Sequence, residues 1–167
     1  MHKAIEVSPI TRLDHTPIPF LRVVASDDYI KALEQRMASR RETIRSNCIG
    51  TALFMASEIR HDVYYSVKTV YKGYLKKYLR QVPGPAPGCL VAWVSTKDRS
   101  EVKHMGIITG MDPLSMAHRI GMRDRFAENV AFKDANIYYG LYFRRVCAVA
   151  EFYLPQGFTN YAKAPGK

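Results

Sequence analysis

The chain has 167 residues, of which 47% are apolar, and this is enough to bury the core of one domain. No run of about eighteen apolar residues and no internal repeat occurs, so the sequence predicts neither a transmembrane helix nor a solenoid. The formal net charge of +10 favours an anionic partner, such as a wall polymer, nucleic acid or an anionic lipid surface. We predict one domain at residues 26–155, between an irregular lead segment (1–25) and a loose tail (156–167).

The first residues of the chain lack the apolar core and the small-residue cleavage site of a secretory signal peptide. We therefore expect a protein that stays in the cytoplasm or is exported by a route that needs no signal peptide. A mature fragment of a longer precursor would have the same appearance.

Two helices are predicted near the start of the domain. Ser26, followed by two aspartates, is typical of an N-cap and begins a helix that runs to about residue 41. The second helix begins at Cys48, with Ser46 or Asn47 as its N-cap, because apolar residues then recur every three or four positions. These apolar residues are Ile49, Ala52, Leu53, Ala56 and Ile59.

Cys48 is a candidate nucleophile because of its place in the first turn of the second helix. Backbone amides and the helix dipole favour negative charge there, and we expect them to lower the pKa of the thiol. A histidine beside the thiolate would complete a catalytic dyad. The alternative is a buried cysteine that serves only as a small apolar side chain.

A third helix is predicted at residues 64–82, with an apolar face of valine, leucine and tyrosine side chains. Its opposite face is basic and predicts binding to an anionic polymer or surface. The most distant alternative function is a non-catalytic module that binds nucleic acid through this face, and the structural alternative is a solvated face. The basic residues are Lys68, Lys72, Lys76, Lys77 and Arg80.

A predicted hairpin, which follows a buried strand at residues 89–94, brings two histidines together. If the loop of the hairpin is centred on Met111, His104 directly faces His118. His104 would take the Cys48 proton, and His118, bonded to the far ring nitrogen, would fix the tautomer and orientation of His104. The alternative orienting groups are Ser115, Asp112 or a backbone carbonyl.

Two further strands are predicted at residues 137–143 and 146–154, because both segments are rich in aromatic and β-branched residues. Together with the hairpin they complete an antiparallel sheet. Cys89 and Cys147 lie in strand-like segments and are expected in the core, and the three cysteines show no metal-ligand spacing. Four tyrosines pack in the core or form a stacking platform for bases or sugars: Tyr138, Tyr139, Tyr142 and Tyr153.

Four short motifs resemble those of one family, and they occur in the same order. They are NCIG (residues 47–50), PGCLVAW (87–93), HMGI (104–107) and MAH (116–118). They resemble the Asp-Cys-Ser-Gly, Pro-Gly-Asp-Leu-Val-Phe-Phe, His-Val-Gly-Ile and aliphatic-His segments of the NlpC-type cell-wall cysteine peptidases, which belong to the papain-like superfamily. The resemblance covers about residues 43–120 and gives Cys48, His104 and His118 the roles of nucleophile, base and third polar residue.

The resemblance implies an α+β papain-like fold, in which N-terminal helices pack on an antiparallel sheet and Cys48 faces the two histidines. Asn47 and Cys89 stand where the family has aspartate, and no tyrosine stands about ten residues before the nucleophile. Tyr29 or a backbone amide is expected to substitute for that tyrosine. The N–H of Cys48, next to Asn47, is the expected oxyanion donor.

The expected function is that of a cysteine peptidase or amidase that hydrolyses an amide bond in the stem peptides of peptidoglycan, without a metal or cofactor. The missing signal peptide is explained by a mature fragment, by a phage or toxin amidase that other machinery delivers, or by a different substrate. The nearest alternative is accordingly a papain-like effector that cleaves, deamidates or transacylates another amide-containing substrate at the same site. The sequence leaves open whether an inhibitor or immunity protein is a partner.

Overall fold

The computed structural model describes residues 10–11, 17–18, 25–38, 46–120, 125–142 and 147–158. From the predicted lead segment it includes two short strands, β1 (Ile10–Thr11) and β2 (Pro17–Ile18), which pair antiparallel with each other. Most of the predicted tail, residues 159–167, lies outside the described residues.

Six strands form one antiparallel sheet: β3 (Arg80–Val82), β4 (Leu90–Ser95), β5 (Val102–Met111), β6 (Leu114–Ile120), β7 (Arg125–Ala131) and β8 (Ala148–Leu154). Their order across the sheet is β3-β8-β4-β5-β6-β7. Strand β4 is buried along its whole length, as its unbroken apolar sequence predicts. Strands β5 and β6 form the predicted hairpin.

Four α-helices are described: α1 (Asp27–Ala38), α2 (Cys48–Met55), α3 (Lys76–Tyr78) and α4 (Phe132–Ile137). A π-helical turn at Tyr71–Leu75 precedes α3, and a second one at Tyr138–Tyr142 follows α4. Helix α2 packs against α1 and against the β5–β6 hairpin. The mixed class, with helices packed on an antiparallel sheet, is therefore confirmed. Within the described ranges, no helix has the length and apolar character needed to cross a membrane.

The two faces of the sheet carry separate apolar clusters, because successive residues of a strand point to opposite sides. On one face, Leu90 and Ala92 of β4 pack with residues of α2, and we call it the α2 face. On the other, Val91 and Trp93 pack with Tyr139 and with residues of α4, and we call it the α4 face. Each residue of β5 and β6 therefore belongs to one of two different environments.

The helix predicted at residues 64–82 and the strand predicted at residues 137–143 differ from the structure, and strand β7 was not predicted. The helix predicted at residues 64–82 is wrong at both ends, since residues 62–66 are not helical and Arg80–Val82 is strand β3, paired with β8. The strand predicted at residues 137–143 is wrong, because that segment ends α4 and forms the second π-helical turn. Strand β7 lies in a stretch whose polar residues predict no strand.

Candidate active site

Helix α2 begins where the sequence predicts, and its N-cap is Asn47 rather than Ser46. Asn47 Oδ1 accepts a hydrogen bond from the Gly50 backbone N–H at 2.9 Å. The same side chain holds the loop after α2, since Nδ2 donates to the Tyr65 carbonyl at 2.7 Å and Oδ1 accepts from the Tyr65 N–H at 3.2 Å. The amide of Asn47 is thus committed to the backbone of α2 and of the loop that follows it.

The loop after α2 folds back over the first turn of the helix. Helix α2 ends at Met55, and Ser57 has a φ of 61°, so the predicted continuation to residue 59 is wrong. The returning backbone passes so close to Gly50 that a Cβ atom there would collide with the Val63 carbonyl. Gly50 is therefore required because the returning loop packs directly against it.

His104 on β5 and His118 on β6 meet on the α4 face of the sheet. His104 Nε2 lies 2.7 Å from His118 Nδ1, and the two ring planes are perpendicular at 90°. Both side chains are buried, with exposed fractions of 3% and 4%. Because this contact occupies Nε2 of His104, Nδ1 is the ring nitrogen that remains for proton transfer.

The register of the hairpin differs from the predicted one. Met111 pairs with Leu114, so the loop lies between these residues and is not centred on Met111. His104 and His118 are consequently diagonal neighbours, and the prediction that they face each other directly is wrong. Diagonal neighbours remain within reach of aromatic and long side chains across an antiparallel pair.

Gly106 lies between the two histidines on the same face of the hairpin. A Cβ atom at this position would lie 3.2 Å from His118 Cβ and 3.0 Å from the Ala117 carbonyl, and would collide with Met116 Cε. The absence of a side chain at Gly106 leaves room for the diagonal contact of the imidazoles.

Aromatic side chains enclose the histidine pair. The Tyr139 ring lies flat on the His104 ring, with centroids 3.7 Å apart and an interplanar angle of 1°. Trp93 lies beside His104 at a centroid distance of 5.7 Å, and Trp93 Nε1 donates to Asn136 Oδ1 at 3.0 Å. Burial, with the neighbouring His118, holds the pKa of His104 well below its usual range, and burial lowers the pKa of His118 to about 4. Both imidazoles are therefore neutral near pH 7.

The Cys48 thiol is partly buried at the start of α2. Burial raises the pKa of the thiol and outweighs the backbone amides of Met105, Ile49 and Cys48 itself, which lower it. The amides thus act in the expected direction, but the net lowering expected from the sequence is wrong. Met105 follows His104 on β5, and the charge of Cys48 adds to burial in raising the pKa of Tyr139. The sulfur packs with the cluster on the α2 face, whereas both imidazoles lie on the α4 face. The Met105 amide reaches it from β5, and no hydrogen bond joins it to either imidazole in the described parts of the chain.

A buried ionic network on the α2 face was not foreseen from the sequence. Arg119, which is 1% exposed, donates from Nη2 to Asp62 Oδ2 at 3.0 Å and from Nε to Thr51 Oγ1 at 2.7 Å. Thr51 Oγ1 and Ser46 Oγ both donate to Asp62 Oδ1. No local pattern could have indicated this network, because its members are isolated polar residues in three separate segments.

The predicted basic face is broken up in the structure. Its residues are exposed, but the π-helical turn and strand β3 do not continue the helical spacing. Lys76 hydrogen-bonds Gln81, lies 3.8 Å from Glu151 and sits over the Tyr71 ring. The Lys77 ammonium sits over the ring of Tyr78. Part of this basic surface is accordingly engaged within the protein.

The candidate tyrosines and the other two cysteines lie in different parts of the structure. Tyr153 lies in the cluster on the α2 face and Tyr139 in the cluster on the α4 face, so they form no common stacking platform. The side chain of Tyr142 lies outside the described residues. Cys89 is buried as predicted, whereas Cys147 is exposed, so its predicted place in the core is wrong.

The Tyr29 hydroxyl is not available to substitute for the family tyrosine in this arrangement. It is buried, and its hydroxyl donates to the Gly88 carbonyl at 2.7 Å. Its ring packs against Phe158, which anchors the first residues of the predicted tail. Among the described residues, no group of three or more His, Cys, Asp or Glu side chains could hold a metal ion.

Comparisons with protein-family models, with curated proteins and with solved structures found no match to this chain.

Proposed function

We propose that the chain is a cysteine hydrolase with a papain-like fold of the NlpC type, in which Cys48 is the nucleophile, His104 the base and His118 the orienting residue. The observation that carries the proposal is the buried contact of 2.7 Å between His104 Nε2 and His118 Nδ1. It fixes the ring of His104 and leaves Nδ1 free for a proton, in a residue whose neighbour Met105 places its amide at the Cys48 thiol.

The first half of the reaction forms a thioester. His104 keeps its own proton on Nε2, which donates a hydrogen bond to His118 Nδ1, and its Nδ1 accepts the Cys48 proton as Sγ attacks the amide carbonyl carbon. The negative oxygen of the tetrahedral intermediate is held by backbone N–H groups at the start of α2, that of Cys48 first. His104 then gives the proton to the leaving nitrogen, the C–N bond breaks, and the acyl group remains on Cys48.

The second half restores the thiol. His104 takes a proton from a water molecule, which attacks the thioester, and the carboxylic acid product leaves as the sulfur regains a proton from His104. The thiol and imidazole are both neutral before the substrate binds, since burial raises the pKa of Cys48 and lowers that of His104. We therefore propose general-base activation during the attack, without a standing thiolate–imidazolium pair.

The proposed substrate is an amide bond in a peptidoglycan stem peptide, of the kind that lies next to D-glutamate and diaminopimelate. This assignment rests on the resemblance of the four motifs to wall peptidases and on the formal charge of +10, which suits an anionic wall.

The test is digestion of purified peptidoglycan and its soluble fragments, with mass spectrometry of the products. Wild-type protein should release stem-peptide fragments, whereas Cys48→Ala and His104→Ala should release none. Cys147→Ala is the matched control, because Cys147 is an exposed cysteine that lies outside the proposed site.

Two outcomes would contradict the proposal. An intact wall, with a folded protein whose Cys48 still reacts with a thiol-directed electrophile, would indicate an effector that acts on another amide. Cleavage that persists in folded Cys48→Ala would remove Cys48 from the chemistry.

A further inference from the structure

Arg119 is almost completely buried on the α2 face, directly after His118 on β6. Burying an ion pair is costly, and its replacement by apolar residues of similar volume is often neutral or stabilising. Stability of the fold therefore does not by itself require the Arg119–Asp62 pair at this position.

The partners of Arg119 converge on the start of the nucleophile helix. Thr51 stands one turn after the N-cap and accepts a hydrogen bond from Arg119 Nε. Asp62 accepts from Arg119 with one oxygen and from Thr51, at 2.8 Å, and Ser46 with the other. Residues on both sides of Cys48 are thus bonded to one carboxylate that Arg119 holds.

We propose that Arg119, fixed by Asp62, is a positioning residue for Cys48: it holds the first turn of α2 and provides a permanent positive charge that favours the thiolate as it forms. This proposal rests on the proposed function, in which Cys48 is the nucleophile.

Arg119 differs from the other groups placed near the thiol because it carries a permanent positive charge. The Met105 backbone amide reaches the thiol from β5, next to His104, which is neutral near pH 7. Tyr139 lies in the π-helical turn, and burial and then the charge of Cys48 raise its pKa. Asp62 lies in the loop after α2 and forms a salt bridge with Arg119. The guanidinium lowers the pKa of the Cys48 thiol, in addition to the backbone amides, against the effect of burial.

The test measures the rate at which iodoacetamide alkylates Cys48 as a function of pH, with peptide mass spectrometry separating Cys48 from the other cysteines. Arg119→Gln should raise the apparent pKa of Cys48 by roughly half to one unit. Asp62→Asn leaves the guanidinium unshielded and should lower it. A merely structural role of the pair would shift both variants in the same direction, because both would loosen the helix start.

Arg36→Gln is the matched control. Arg36 Nη1 donates to the carbonyls of Phe54 and Ile59 at the other end of α2, at 2.6 and 3.0 Å. Its loss should lower the melting temperature and leave the alkylation profile of Cys48 unchanged.

An unchanged apparent pKa in folded Arg119→Gln, or a common direction of shift in the two single variants, would overturn the proposal. If the single variants do not fold, the double variant Arg119→Met with Asp62→Leu replaces both charges by apolar side chains and should show the raised pKa. The measurement uses no wall substrate. An uncleaved wall together with the predicted shifts would therefore contradict the substrate assignment and not the action of Arg119 on Cys48.

Discussion

His118 and Arg119 are neighbours on β6, yet they lie in two opposite kinds of buried environment. On the α4 face, His118 meets His104 among aromatic rings, and burial keeps both imidazoles neutral. On the α2 face, the guanidinium of Arg119 is bound by Asp62 and Thr51. One strand thus supports the proposed base from one side and the nucleophile helix from the other. The comparison shows two ways of burying a basic side chain: an imidazole loses its charge, whereas a guanidinium, which cannot lose its proton, needs polar partners around it.

On the α2 face, removal of the Asp62 carboxylate should have the largest effect on stability. Asp62→Ala leaves Arg119 as a buried charge without its carboxylate, and we expect a loss of about 3–5 kcal/mol in the free energy of unfolding. Urea unfolding followed by circular dichroism measures this loss. The control is Glu101→Gln, which removes a partly exposed ion pair to Lys103 and should cost at most about 1 kcal/mol. Equal losses of unfolding free energy in the two variants would contradict a stabilising role of the Asp62–Arg119 network.

On the α4 face, the expected effect is on turnover rather than on the free energy of unfolding. His118→Ala should lower the turnover of stem-peptide fragments roughly 10²-fold, because His104 loses the acceptor that fixes its tautomer. His118→Asn keeps an acceptor at this position and should recover part of that loss. Near-normal turnover in His118→Ala would instead favour one of the other orienting groups.

Contact between the two imidazoles depends on the empty space at Gly106. Gly106→Ala requires Met116 Cε to move and crowds His118 Cβ, and it should cost about 1–3 kcal/mol in the free energy of unfolding, with a fall in turnover. The matched control is Gly73→Ala, since a Cβ atom at Gly73 meets nothing within 4 Å. An alanine at Gly106 without effect on stability or turnover would contradict the tight packing at this position.

The neutrality of the histidines predicts a dependence of stability on pH. The folded-state pKa of His118, about 4, lies below its unfolded value of about 6.5, so the unfolded chain binds more protons between these values. This contribution to stability is complete above about pH 6.5 and is lost as the pH falls through about 4.

Between about pH 7 and pH 5 we expect the wild-type protein to lose about 1–2 kcal/mol from this group, after allowance for solvent screening. His118→Asn should show a smaller loss over the same range in urea titrations. An identical pH dependence in both proteins would mean that His118 does not titrate as the structure indicates.

Local sequence patterns predicted the elements that carry the site. Asn47 at the start of α2 and the unbroken apolar segment of β4 are signals contained within a few residues, and both predicted elements are present. The contact between His104 and His118 follows from the hairpin, although the register was wrong. It survives the change in register because Gly106 leaves space for a diagonal contact.

The parts that escaped prediction depend on long-range packing. Arg119 and Asp62 are 57 positions apart, and no spacing rule connects them. The aromatic segment before residue 143 suits a strand by composition, but it packs as a helical turn that places Tyr139 on His104. Residues 80–82 continue the spacing of the preceding helix and nevertheless pair with β8. In both cases tertiary contacts outweighed the local preference.

The most direct test of the central claim, that His104 is the base for Cys48, is the rate of Cys48 labelling by a thiol-directed electrophile at about pH 7 in the wild type and in His104→Gln. Labelling of the exposed Cys147 in the same sample provides the internal control. We expect labelling of Cys48 to slow at least about 10-fold in His104→Gln, because His104 no longer accepts the thiol proton, while labelling of Cys147 stays constant. Equal rates of Cys48 labelling in the two folded proteins would contradict it.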